Sequence, residues 1–261
     1  MAWRRRSTPH LEIAHVLFMD VVDYSKLLVN EQRELVQQLG RIVRKTRQFR
    51  RSQAVDKLIR IPVGDGMALV FFRTPEEPVQ CALEIAQLLK SHPDIRLRMG
   101  IHSGPIDHLR DVNNQANVAG TGINIAQRIM AVGDADHILV SERVALDLAQ
   151  DHHWQPYLHP VGEVELKHGL KARIVNIYTD EIGNARYPRG SRTSTGKCPV
   201  LQRSFFVFFK ARPALRPRPF FSPERREFFC GKVVRQPRLL YRVHRFQSLR
   251  KRASPCCHST T

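Results

Sequence analysis

Hydrophobic positions recur along the chain at two spacings, and the switches between them predict its elements. The run His15-Val-Leu-Phe-Met-Asp20 is apolar, rich in β-formers and ends on a carboxylate, which predicts a strand followed by a turn. Leu35, Leu39, Ile42, Val43 and Phe49 fall at roughly helical spacing among Arg, Gln and Lys, which predicts one amphipathic helix over 31–50 ending near Arg51-Ser52. Residues 57–72 read as two β-runs around Gly64-Asp65-Gly66. The flanking glycines supply the positive φ values a tight hairpin needs and set Asp65 at its tip. Pro75, Glu76 and Glu77 then open a helix with Val79, Ala82, Leu83, Ala86, Leu88 and Leu89 on its apolar face, closed by His92-Pro93.

A strand is expected from Ile95 to His102, broken by Ser103-Gly104-Pro105, with 106–118 polar and turn-rich. Gly120-Thr-Gly122 leads into a helix over 123–130 ended by Gly133, with Ile125, Ile129 and Met130 facing the core. A short strand at 138–140, a helix capped by Ser141 and running over 143–150, and closing strands at 157–166 and 172–178 complete the pattern. No internal repeat is visible. Strands joined partly by a hairpin and partly through helices predict an α+β or α/β sandwich with a mixed sheet.

The 261 residues, 42% of them hydrophobic, suffice for a core-bearing domain. No stretch approaches the ~18–20 apolar residues of a membrane span, and Met1–His10 lacks an apolar run of signal-peptide length, so no integral membrane segment is expected. The net charge of +18 suggests nucleic acid until its placement is considered: 184–261 holds 15 Arg and 4 Lys against Glu224 and Glu227, and so carries +17 of it. Nine of the 13 Phe and four of the 5 Cys lie there too, leaving Cys81 in a nearly neutral front part that suits a reducing cytoplasm. The chain thus divides into an arm at 1–10, a folded domain at 11–183 and a basic tail at 184–261 with no core of its own. Its interleaved Arg and Phe suit contact with acidic surfaces, nucleic acid or anionic membrane. The other reading is an appendage without selected function, a run-on or out-of-frame translation.

Asp20 at a strand end and Asp65 at a hairpin tip can hold a pair of Mg²⁺ ions if their strands are adjacent, although Asp23 and Asp56 compete equally at this level. Asn124 and Arg128, four residues apart, share a helix face, where a carboxamide can orient a ribose and a guanidinium can stabilise phosphoryl charge, or the pair can be inert surface. Lys167 is a cation that a strand delivers toward a polyphosphate. His102 reads as a packed core residue, and His152, His153 and His159 as surface-loop residues without metal-ligand spacing.

The blocks LFMDVVDYSKL (17–27), PVGDGMALVF (62–71), RMGIHSGP (98–105), NVAGTGINIAQRIM (117–130), ILVSERV (138–144) and GEVELKHGL (162–170) together resemble the class III nucleotidyl cyclase domain, the adenylate/guanylate cyclase family, over about residues 11–180. The resemblance implies a ferredoxin-like α/β domain, a head-to-tail homodimer with sites shared across its interface, and conversion of a nucleoside triphosphate to a 3′,5′-cyclic nucleotide and pyrophosphate for intracellular signalling. It places Asp20 and Asp65 as ligands of two Mg²⁺ or Mn²⁺, with the backbone from Val21 to Tyr24 against the metal or triphosphate. It makes Asn124 the ribose-orienting group, Arg128 the transition-state cation and Lys167 the partner of the terminal phosphates. The pattern departs at the base-reading positions, which hold Ile61 and Asn117, so ATP is favoured by family frequency while GTP and pyrimidine triphosphates stay open. Lys57 or Arg60 is a stand-in for the missing lysine, but strand alternation points Arg60 away from Ile61. Asp23 replaces a glycine. A catalytically silent dimerisation or nucleotide-sensing domain is the alternative.

Overall fold

The apolar run near the start of the chain forms an interior strand of a mixed sheet, in a computed structural model that describes residues 11–110 and 116–191. In chain order the elements are β1 (Leu11–Val21), α1 (Val29–Lys45), α2 (Arg47–Ala54), β2 (Leu58–Val63), β3 (Gly66–Phe71), α3 (Glu76–Leu89), β4 (Leu97–Arg110), β5 (Ala116–Ala119), α4 (Thr121–Val132), β6 (Ile138–Ser141), α5 (Glu142–Leu148), β7 (Leu158–Glu165) and β8 (Lys171–Ile177). The strands lie in the order β2-β3-β1-β4-β6-β8-β7, with β5 paired to β4. β4 and β6 run parallel, and the other neighbours are antiparallel.

Alternation along β1 decides what each face carries. Ala14, Val16 and Phe18 share one face with Ala68, Val70 and Ile106, packed against Ala126 and Met130 of α4. The same helix turns Ile129 and Val132 onto Leu139, Val164 and Ile174. Leu17 and Met19 point the other way, and α1, α2 and α3 pack together on that side through buried Leu39, Phe49, Val79 and Ile85. Two glycines let α4 lie directly on the sheet: a Cβ on Gly100 would strike the backbone nitrogen of Met130, and one on Gly104 would lie 2.9 Å from the Cα of Gly122.

Three expectations need correction. The helix expected over 31–50 is two helices, because Thr46 is extended (ψ 142°) and its hydroxyl donates to the Val43 carbonyl at 2.7 Å, capping α1. The strand expected to break at Ser103-Gly104-Pro105 continues to Arg110, with Pro105 opposite Ile13 of β1. On its other edge β4 meets β6 only through Ile101 and β5 from Asp107 onward, so Pro105 falls where that edge carries no ladder among the described residues. The turn-rich stretch over 106–118 is therefore largely strand, with Ile106 to Arg110 extending β4 and Ala116–Ala119 returning as β5.

The packed chain also runs on past Gly183. Asn184 Nδ2 donates to the Ala135 carbonyl (2.9 Å), His137 Nε2 donates to the Arg186 carbonyl (2.8 Å), and the Arg189 amide donates to Asp134 Oδ2 (2.9 Å), seating a strap on the α4–β6 turn. The 1–10 arm and residues 192–261 of the basic tail lie outside the described residues. Among the described residues no helix is long and apolar enough to cross a membrane.

His102, expected as a packed core residue, is half-buried, its Nδ1 2.9 Å from Ser141 Oγ. Burial, and then the Arg143 charge, push its pKa from 6.5 down to about 4. Its stabilising contribution is therefore complete above pH 6.5 and lost as pH falls from there toward 4. His102→Gln should narrow the stability difference between pH 7.5 and pH 5 by on the order of 1–2 kcal/mol in chemical denaturation. Gly100→Ala should lose about 1–3 kcal/mol in the same assay, because α4 must lift off β4.

Candidate active site

Asp20 continues the Ala14-Val16-Phe18 face beyond the end of the apolar run, and β1–β3 pairing sets it opposite Gly66, next to the hairpin tip. The Val21 amide donates to the Asp65 carbonyl at 3.2 Å, tying the strand end to that tip. Asp20 is only 6% exposed. Its Oδ2 accepts from Arg98 Nη2 (2.6 Å) and Nε (3.2 Å), while its Oδ1 is buried without a hydrogen-bond partner. Burial raises the Asp20 pKa above the usual carboxylate range; Arg98 opposes this, and the neighbouring Asp65 carboxyl adds to it. Two carboxyl groups thus crowd a poorly solvated place that holds one guanidinium, so positive charge falls short of negative there.

That deficit fits divalent cations. Mg²⁺ is commonly held by one or two carboxylates, with substrate phosphate and water completing its shell. Asp20 Oδ1 is an available ligand atom, Asp65 is a second carboxylate, and the end of β1 at Val21 brings backbone beside them. Among the described residues no cluster of three or more His, Cys, Asp or Glu could form an all-protein cage.

The rival carboxylates are placed otherwise. Asp23 takes a left-handed conformation (φ 65°) where a glycine would be unstrained, and its carboxylate bridges Lys26 (2.7 Å) and Arg96 (2.5 Å). The Lys26 ammonium, with Arg96, holds its pKa below the usual range, so its charge is spent within the loop. Asp56 is an exposed turn residue between α2 and β2. Tyr24 is half-buried in a short 3-10 turn after β1, where its carbonyl accepts from Gln32 Nε2 at 3.2 Å.

The remaining candidates stand apart from the carboxylate pair within one chain. Ala126, Ile129 and Met130 turn α4 toward the sheet, which leaves exposed Asn124 and half-buried Arg128 on the opposite side of the helix. Neither side chain makes a hydrogen bond or ion pair with the described residues. Lys167 is exposed in the turn between β7 and β8, three to four strand spacings from β1, or roughly 14–19 Å. Ile61 packs on the α4 side of β2 with Val118 nearby, and Asn117 lies opposite Leu109, at the other end of β4 from Arg98. Asn117 Oδ1 accepts from the Val118 amide at 2.8 Å, and its NH₂ group has no partner among the described residues. Arg60 points away from Ile61, its guanidinium 5.8 Å over the Phe49 ring, and Lys57 is exposed before β2.

Arg98 was not singled out by the residue pattern. Its signal was a cation at the start of the strand that pairs with β1, but only the register, Asp20 opposite Arg98, makes it a partner. His153 meets Trp154 and Tyr157 edge-on, while His159 lies in β7 rather than a loop and stacks on Tyr178 at 3.6 Å.

The family model for the adenylate and guanylate cyclase catalytic domain matches residues 7–179. No curated protein matches the chain. Among solved structures, the adenylate cyclases from Trypanosoma brucei in their monomeric state are similar at TM-score 0.55 and 18% identity, over 73% of this chain and 97% of that one. The guanylate cyclase domain of RhGC from Catenaria anguillulae in complex with GTP gives TM-score 0.51 and 19% identity, over 64% and 97%. The adenylyl cyclase CyaB from P. aeruginosa gives 0.52 and 15%, over 68% and 100%. At such identities these likenesses speak for the fold, and the family match runs through every strand from β1 to β8. The chain belongs to the adenylate and guanylate cyclase catalytic domain family.

Proposed function

We propose that this domain converts a nucleoside triphosphate to a 3′,5′-cyclic nucleotide and pyrophosphate, at a site that two copies of the chain complete head to tail. The observation that carries this reading is the buried, unpartnered Oδ1 of Asp20 beside Asp65, while Asn124 and Arg128 face away from that pair on the far side of α4. With the carboxylates on the sheet and Asn124 and Arg128 on the solvent side of α4, a second copy is the direct source of the latter pair, which supports a homodimer.

In the reaction the substrate 3′-oxygen bonds to the α-phosphorus as the bond to the β-phosphate oxygen breaks; the hydroxyl proton passes to solvent and pyrophosphate leaves. Asp20, Asp65 and the Val21 backbone would hold two Mg²⁺ or Mn²⁺ ions, which would supply a lowered hydroxyl pKa and neutralisation of phosphate charge. Arg98 fixes Asp20 through Oδ2 and so keeps Oδ1 turned to the site. Asn124 of the second copy orients the ribose, and Arg128 stabilises charge on the phosphoryl oxygens as it builds. Lys167 meets the terminal phosphates, and the backbone from Val21 to Tyr24 lies along them. Ile61 offers the base shape alone and Asn117 an amide donor, a pairing that acceptor atoms on any of the four bases can meet. ATP is the first substrate to test, on family frequency. Cys81 is buried, and burial pushes its thiol up to about 12.

Purified protein with Mn²⁺ should form a cyclic product, read by mass spectrometry, from at least one of ATP, GTP, CTP and UTP; silence with all four overturns the reading. Asp20→Ala and Asp65→Ala should each abolish turnover while the thermal melt stays cooperative. Arg128→Ala should lower kcat by about 100- to 1000-fold. Mixing Asp65→Ala chains with Arg128→Ala chains should restore part of the activity, since one site of the mixed dimer is whole; absence of rescue argues against a shared site.

A further inference from the structure

The strap over 183–191 lies beyond the residues matched by the family model, and it walls a cavity of about 800 Å³, within the usual range for a small-molecule site. The facing wall comes from Val22, Asp23 and Arg98, and the floor from the α4–β6 turn around Asp134. Arg98 links this cavity to the carboxylate pair, because its guanidinium also holds Asp20. The strap contributes Arg186 and Arg189 to the same lining.

The charges facing the cavity are unequal in their availability. Asp23 is spent on Lys26 and Arg96, and Asp134 Oδ2 accepts the Arg189 amide. The other carboxylate of the lining, Asp136, lies at the solvent edge; burial raises its pKa above the usual carboxylate range and the Arg96 charge opposes the rise. The side chains of Arg186 and Arg189 have no ion pair or hydrogen bond among the described residues. Backbone and side-chain groups elsewhere do the work of seating the strap: the Arg186 carbonyl, the Arg189 amide, Asn184, and Gly190, where a Cβ would lie 2.6 Å from the Val132 carbonyl. Arg186 and Arg189 thus line a cavity that also reaches Arg98, with exposed side chains that have no ion pair or hydrogen bond among the described residues, and planar guanidinium forks match phosphate oxygens in pairs.

We infer that Arg186 and Arg189 bind the pyrophosphate portion of the substrate, so that the strap extends the active site and grips the leaving group. The inference rests on the cyclase reading for the identity of the phosphate donor, but the site itself can be tested without turnover. With inorganic pyrophosphate and Mg²⁺ as the probe, titration calorimetry on the full-length protein should show binding weakened at least tenfold by the double substitution Arg186→Ala/Arg189→Ala. Arg33→Ala/Arg41→Ala, which removes the same charge from the exposed face of α1, should leave binding unchanged. In turnover, the strap variant should show a KM for the triphosphate raised about tenfold with kcat within twofold, and Arg186→Lys/Arg189→Lys should recover part of the loss. Wild-type protein that binds no pyrophosphate, or a strap variant that binds it as wild type does, overturns the inference. A wild-type protein that makes no cyclic product yet loses pyrophosphate binding on the double substitution sinks the cyclase reading and leaves the strap site standing. Normal cyclisation with a strap variant indistinguishable from wild type sinks only the strap.

Discussion

The close approach of α4 to β4 is the constraint on which the rest of the site depends. Gly100 and Gly104 remove the side chains that would hold the helix off, and Gly122 meets Gly104 from the helix side. With its backbone against the strand, α4 must spend Ala126, Ile129 and Met130 on the sheet. The helical period then turns Asn124 and Arg128 outward. A helix held one side-chain diameter higher would have more freedom to rotate, and the two polar groups would lose their fixed direction. Packing thus decides the orientation of chemical groups that do not themselves pack.

Asp20 is governed by a different economy. Placing a carboxylate on the buried face of an interior strand costs free energy, and here one oxygen is satisfied by a forked guanidinium while the other is left bare. A protein selected for stability alone would fill that position with another Val or Phe, as the preceding alternate positions of β1 do. The tolerance of an orphaned oxygen next to a second carboxyl makes sense where an external cation completes the arrangement. Asp23, two residues past the end of β1, shows the contrast: it sits in a strained left-handed turn, yet both its oxygens are paired, so it stabilises the loop and leaves the carboxylate pair as the place of unmet charge.

Much of this was legible in the residues because local rules and tertiary structure agree. The strand ending at Asp20, the hairpin presenting Asp65 and the helix carrying Asn124 and Arg128 each follow from periodicity and glycine placement, and each occurs. The failures occurred where a local rule met a tertiary exception. Proline was taken to end a strand, but Pro105 lies in a gap between β6 and β5 on that edge of β4. Helical spacing continued through Thr46, but its hydroxyl competes for the carbonyl that would have carried the helix onward. Arg98 was invisible because its meaning depends on register, and a register between strands far apart in sequence is not written in either strand alone.

The strap was hidden for a third reason, which concerns how charge is read. Arg186 and Arg189 were counted with the basic tail, since composition changes near Asn184 and a sum over the tail weighs every arginine alike. The structure separates them from that sum: Asn184, Arg186 and Arg189 are fastened to the α4–β6 turn, largely through backbone groups, next to Arg96 and Arg98. An arginine on a seated backbone has lost much of its conformational freedom before any ligand arrives, so less remains to be lost when its guanidinium is engaged. With Arg98 as the link, the carboxylate pair and the cavity lining alternate in sign: negative at Asp20 and Asp65, positive at Arg98 and the strap. A polyphosphate carrying divalent cations has that same alternation, and that match is the argument for the proposed grip of the strap on pyrophosphate.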